Sequence, residues 1–208
     1  MDETNKKVIM HLQSAQNRLL IKNGLVVNHD GSQYADVYIE DAVIKQVGNH
    51  LIIPGGTRVV DASGKLVLPG GIDPNVHFQS PISTDGTSAP KGTRTIDDFY
   101  IGTKAALKGG TTTIIHLIEH QKDDSLLKEL ENWQLWAEEK ACCDYAFKIK
   151  LPPNMTEELK SEVRELTTES QTNCFLASME DHKDEDLIEF FDLCSSLGKA
   201  PIQDSSLL

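Results

Sequence analysis

Asn75 and His77 close the stretch Gly70-Gly71-Ile72-Asp73-Pro74-Asn75-Val76-His77-Phe78-Gln79, and their spacing is what speaks most directly of chemistry in this chain. The apolar run Lys65-Leu66-Val67-Leu68 leads through Pro69-Gly70-Gly71 into Ile72-Asp73, the pattern of a short buried strand reached through a tight turn. Side chains two apart on a strand share a face, so two imidazoles in a His-x-His pair would grip one divalent ion between them. Here the first position is Asn75. Its neutral amide is a poor substitute for imidazole toward zinc, which takes nitrogen, thiolate or carboxylate ligands. His77 alone does not make a metal site, and a strand-end histidine hydrogen-bonded in a polar pocket is the expected reading.

Other motifs carry less. His116-Leu117-Ile118-Glu119-His120 fits an HxxEH zinc pattern, but that pattern needs a helix to bring both imidazoles to one face. The β-branched run Thr111 to Ile115 leads into it, and in extended chain the two rings stand roughly 13 Å apart. Asn154-Met155-Thr156 reads as a helix cap rather than a glycosylation site, and Glu180 to Asp186 as a solvated acidic face. Trp133 and Trp136 read as helix packing. No glycine loop is built to cradle phosphate.

Composition narrows the classes. With 208 residues, 39% of them hydrophobic, the chain supports one sizeable core or two small domains. A formal charge of -12, from 32 acidic against 20 basic residues, argues against nucleic acid or an anionic membrane as partner. Cys142 and Cys143 are adjacent, while Cys174 and Cys194 stand alone, so reduced thiols in a cytoplasmic setting are expected. The opening Met1 to Lys7 is polar, and no apolar run approaches the roughly 18 residues that span a bilayer.

The elements that must position these residues fall into two kinds. Arg18 to Lys22, the pair Asn23-Gly24 and Leu25 to Val27 read as a hairpin with a type I′ turn. Tyr34 to Ile39 and Val43 to Val47 read as a second pair around Glu40-Asp41, and Arg58 to Asp61 as a strand before a turn at Ser63-Gly64. From residue 71 strands and amphipathic helices alternate, the mark of βα units on a parallel sheet. Thr95 caps a helix that stops at Gly109-Gly110. The next helix carries Leu126, Leu130, Trp133 and Ala137 on one stripe, a third carries Met155, Leu159, Val163 and Leu166, and a fourth Leu187, Phe191 and Cys194. Cys143 to Ile149 and Cys174 to Met179 are strands, and Ala200 to Gln203 begins another. The fold class is therefore α/β: an N-terminal arm over 1–17, an incomplete β-sandwich-type domain over 18–70, and over 71–208 about four βα units of a (β/α)8 barrel.

Arg18 to Phe78, Asp97 to Thr112 and Trp136 to Tyr145 resemble the dihydropyrimidinase family, which holds cyclic-amide hydrolases and their relatives, the collapsin response mediator proteins. The resemblance implies a small β-sandwich on a metallo-dependent (β/α)8 barrel that assembles as a tetramer. In active members two zinc ions are held by four His, one carboxylated Lys and one Asp. Carried over residue by residue, the first His pair falls on Asn75 and His77 and the bridging Lys on Leu176. The tyrosine that stabilises the tetrahedral intermediate falls near Asp181, and a fifth-strand His near Asp204. The remaining His and Asp fall beyond residue 208.

A catalytic zinc needs about three protein ligands and an open position. The expectation is thus no catalytic residue, no intact metal site and no cofactor, with protein partners, cytoskeletal ones among them, in homo- or hetero-oligomers with full-length relatives. The alternatives are a zinc-dependent cyclic-amide hydrolase, or a truncated product that modulates a full-length relative.

Overall fold

A computed structural model describes residues 17–79, 95–119, 125–152, 155–169, 172, 174–178, 182–198 and 202–204. It divides into two compact units, Met1–Pro69 and Gly70–Leu208. Among the described residues no helix is long and apolar enough to cross a membrane.

The first unit is a five-stranded sheet. Strands β1 (Arg18–Asn28), β2 (Gly31–Glu40), β3 (Val43–Gly48), β4 (Arg58–Asp61) and β5 (Leu66–Val67) follow in chain order. β1 pairs antiparallel with β2, β2 with β3, and both β4 and β5 add parallel to the free edge of β1. Val26, Ala35 and Val37 form a small core, flanked by Ile21, Ile39 and Val67. The β2–β3 turn fits the sequence, since Asp41 and Ala42 both take positive φ, 51° and 60°, as a type I′ turn requires.

Asn23-Gly24 is not a hairpin turn. β1 runs straight through it, and the register jumps from Ile21↔Val37 to Gly24↔Ala35, so Lys22 and Asn23 together face Asp36. This is a β-bulge. Asn23 sits at φ 62°, and its N–H, which the bulge leaves out of the ladder, donates to Asp36 Oδ1 at 2.9 Å. The dipeptide supplies the left-handed conformation either way. What excludes the hairpin is a long β2 that pairs with both halves of β1. Leu66 and Val67 form their own short strand in this sheet, and the chain passes from them through residues 68–70 into the strand that follows.

The second unit is a parallel sheet in sequential order, β6 (Gly71–Val76), β7 (Thr111–Glu119), β8 (Asp144–Lys150), β9 (Phe175–Ser178) and β10 (Ile202–Asp204). Helices α1 (Phe99–Gly109), α2 (Leu126–Lys140), α3 (Glu157–Glu169) and α4 (Asp184–Ser196) connect the strands. Sequential parallel strands with a helix between each pair are the arrangement of half a (β/α)8 barrel. Their shared core is Val76, Phe78, Phe99, Ile114, Ile118, Phe147, Ile149, Val163, Phe175, Phe190 and their neighbours.

Local signals place most of these elements, with shifts. Asp98, not Thr95, caps α1, its carboxylate accepting the Ile101 N–H at 2.9 Å and pairing with Lys140 at 3.1 Å. These contacts hold its carboxyl below the usual carboxylate range. Gly110, at φ 91°, closes the helix as expected. On α2 Leu126, Leu130 and Ala137 are buried, and Glu162 of α3 receives the Leu126 N–H at 2.8 Å and the Ser125 hydroxyl at 2.9 Å. Thr156 caps α3 by accepting the Leu159 N–H; Asn154 lies outside the described residues. The inward stripe of α4 is centred on Phe190, Leu193 and Cys194, while Leu187 and Phe191 only flank it. β6 is not buried either: Ile72 is 65% exposed, because β6 is the edge strand of this sheet.

Gly102 shows how closely α1 and the end of β6 approach. A Cβ there would lie 2.1 Å from the ring of Phe78, which is itself buried against Phe99. On an open helix surface Gly→Ala gains about 1 kcal/mol. Here Gly102→Ala is expected to cost about 1–3 kcal/mol through overpacking. Urea unfolding followed by circular dichroism measures the sign, and a raised midpoint would contradict this packing.

Candidate functional site

Alternation along each strand sorts the sheet into two faces. Val76 and Phe78, Ile114 and Ile118, Phe147 and Ile149, Phe175 and Ala177 pack into the core with the helices. The intervening positions turn to the other face: Asn75 and His77, Leu117 and Glu119, Lys148 and Lys150, Leu176 and Ser178. That second face is where the candidate residues meet.

Asn75 and Lys148 form its centre. The Lys148 ammonium donates to Asn75 Oδ1 at 2.9 Å, and His77 Nε2 stands 3.3 Å from the same oxygen. The amide orientation follows, since an ammonium carries only donors and needs the oxygen facing it. Asn75 and His77 are exposed, whereas Lys148 is only 5% exposed. The Asn75 N–H donates to Asp73 Oδ1 at 3.0 Å in a tight local turn. Positions 75 and 77 therefore share a face, and His77 lies on an open surface and not in a polar pocket.

Leu176 is 3% exposed and stands in register with Lys150 on β8. The backbone of Asp204 pairs with Ser178, and Asp181 lies outside the described residues. Lys148 is the member that sequence reasoning missed. Its signal was legible: in Asp144-Tyr145-Ala146-Phe147-Lys148-Ile149-Lys150 the apolar positions 147 and 149 claim one face and deliver both lysines to the other.

The group does not fit a zinc ion. It offers one imidazole, one amide oxygen already engaged, an ammonium that repels any cation, and an aliphatic side chain at 176. Among the described residues no group of three or more His, Cys, Asp or Glu is placed to hold a metal.

His116 belongs to the opposite face. It lies inside an aromatic cluster, 4.5 Å from Trp133, 5.1 Å from Phe99 and 5.6 Å from Phe78 between ring centroids. Its Nε2 accepts the Phe78 N–H at 3.0 Å, and its Nδ1 is buried with no acceptor. Glu119 closes the same strand and His120 lies outside the described residues, so HxxEH is strand sequence here. Trp133 packs as expected, while Trp136 stays 44% exposed at its edge. The cysteines are free, and burial pushes the Cys194 thiol up to about 11.

No family model matches the chain. Dihydropyrimidinase from Rattus norvegicus is 41% identical over 192 residues, which cover 88% of this chain and 35% of that relative. Dihydropyrimidinase-related protein 5 from Mus musculus is 41% identical over 197 residues, covering 92% of this chain and 33% of the relative. The chain belongs to the dihydropyrimidinase family. A D-hydantoinase (dihydropyrimidinase) structure from Thermus sp. superimposes with a TM-score of 0.79 at 32% identity, over 89% of this chain and 39% of the other. The fold is thus that of the metallo-dependent hydrolases within this family, with one separate sheet and one half-barrel of parallel strands. The chain spans about a third of the length of the curated relatives it matches.

His116 gives this family member a measurable pH response. Burial lowers its pKa from 6.5 to about 4, so the fold favours the neutral ring. That contribution is fully present above pH 6.5 and is lost as pH falls from there through about 4, at most about 3 kcal/mol. His116→Phe keeps an aromatic ring but leaves the Phe78 N–H without an acceptor, so it is expected to be less stable at pH 7 by about 1–3 kcal/mol. The gap to the parent chain narrows toward pH 4, where the neutral ring no longer contributes. Thermal melts across that range check it, and a gap independent of pH would contradict this role for His116.

Proposed function

We propose that this chain is a non-catalytic member of the dihydropyrimidinase family, similar to the collapsin response mediator proteins, and that it acts by binding other proteins. The observation that carries this reading is the Lys148 ammonium 2.9 Å from Asn75 Oδ1. It sets a fixed positive charge beside the position where the family resemblance expects a metal ligand, and like charge at that distance opposes a divalent cation. Leu176 supports it, since an aliphatic side chain can be neither carboxylated nor a ligand. On this reading the partners are proteins of cytoplasmic and cytoskeletal signalling, and homo- or hetero-oligomers with full-length relatives. An acidic chain of net charge -12 is poorly suited to nucleic acid.

One observation favours a second reading, zinc-dependent hydrolysis of cyclic amides. The rat dihydropyrimidinase matches at the same 41% as the mouse related protein, so identity does not divide the two. The chemistry of the site favours the first reading. Zinc by mass spectrometry, with dihydrouracil and hydantoin as substrates, is expected to show far less than one ion per chain and no turnover. Near-stoichiometric zinc with turnover would overturn the proposal. Asn75→His combined with Leu176→Lys is expected to remain inactive while Lys148 keeps its charge. Mixing with the mouse relative should give joint oligomers in light scattering, and two species that never mix would count against the binding role.

A further inference from the structure

Lys148 poses a problem that neither reading resolves. Its side chain is drawn out of water, with 5% of the residue exposed, yet among the described residues its ammonium has one acceptor, the neutral Asn75 Oδ1. An ammonium has three N–H donors, so two stay open. A buried charge without a counter-charge is costly, and a donor left without an acceptor adds to that cost.

Among the described residues no neighbouring group is shown to supply a second acceptor. Asn75 Oδ1 is occupied by the ammonium and approached by His77. With that oxygen fixed, the Asn75 amide nitrogen presents two further donors. Asp73, two residues back on β6, spends Oδ1 on the Asn75 N–H. Glu119 stands in register with Lys150, one pair further along β7 and β8, while the residue opposite Lys148 is Leu117. Among the described residues, donors therefore outnumber acceptors around the Lys148 charge, inside a chain whose net charge is -12. Leu117, 7% exposed, and Leu176, 3% exposed, line the same face, and Asn75 and His77 leave it open to solvent.

We infer that this face is a receptor for a small monocarboxylate, whose oxygens take the open donors of Lys148 and Asn75 while its short alkyl part lies toward Leu117 and Leu176. A single ammonium matches one negative charge, and two leucines favour an organic acid over a fully hydrated oxyanion. The site inverts the electrostatics of the metal centre that the family resemblance implies: a protein cation is fixed and the anion is the ligand. The inference stands on the donors around Lys148 and does not depend on which protein partner the chain engages.

Propionate is the probe, and calorimetric titration of the full chain is the measurement. Propionate should bind saturably, and propionamide, its neutral isostere, should not. Lys148→Met keeps the length of the side chain and should weaken propionate by at least about tenfold. Asn75→Asp gives the ammonium an internal carboxylate, so this variant should lose propionate and melt higher by about 2–8 °C. That second variant keeps the test alive if Lys148→Met does not fold. The inference is overturned if propionate does not saturate, if propionamide binds equally, or if Asn75→Asp still binds propionate without a gain in melting temperature. A zinc measurement on the same sample separates failure of this inference from failure of the non-catalytic reading.

Discussion

The Phe78 N–H donated to His116 Nε2 is the interaction on which the functional face depends. It ties the segment just past β6 to β7, inside a ring of aromatic side chains that shields it from water. A hydrogen bond in such surroundings is stronger than at a surface, and its loss would strand two buried polar groups. Because Phe78 is held, the chain before it is held as well. Asn75 and His77 then stand on the side opposite the ring, three and one residues away. His116 matters to the site without taking part in it.

Strand alternation does the rest. The helix-facing side of the sheet is packed with Phe, Ile, Leu and Val, and that packing stabilises the unit. The other side carries Asn75, His77, Lys148, Lys150 and Leu176, and the core does not call on them. Such a division lets one face change its chemistry while the other keeps the fold. An imidazole exchanged for an amide at 75, or a leucine at 176, leaves Val76, Phe175 and Ala177 where they are. Resemblance in fold to a hydrolase therefore says little about hydrolysis, which rests on the face the core leaves free to vary.

Much of this was legible in sequence, and the misses have physical causes. Gly110 and Gly198 marked helix ends because a left-handed residue is cheapest as glycine. The stripes on α2 and α3 followed the helical period closely. Asn23-Gly24 misled because positive φ serves both a turn and a bulge, and only the length of the facing β2 decides between them. The α4 face shifted to Phe190 because adjacent phenylalanines at 190 and 191 satisfy the period about equally well. Lys148 went unseen although its alternation with Phe147 and Ile149 was plain. A lysine within a strand suggests a solvated edge, and β8 is an inner strand, bonded to β7 on one side and β9 on the other.

That inner position is what gives Lys148 its consequence. On an edge strand the ammonium would reach water past its own backbone, and Asn75 would matter little to it. On β8 it has neighbours on both sides, Leu117 of β7 in register with it and the β9 chain beyond, so the side chain extends over the face toward β6. Asn75 is the acceptor it meets there. An imidazole at 75 beside an ammonium would compete for the same space and offer a ring nitrogen where an amide oxygen now accepts. Asn75 and Lys148 are thus best understood as one unit spread over two strands, 73 residues apart in the chain. Sequence inspection of either position alone sees a lost ligand or a stray lysine, whereas the fold makes them a pair.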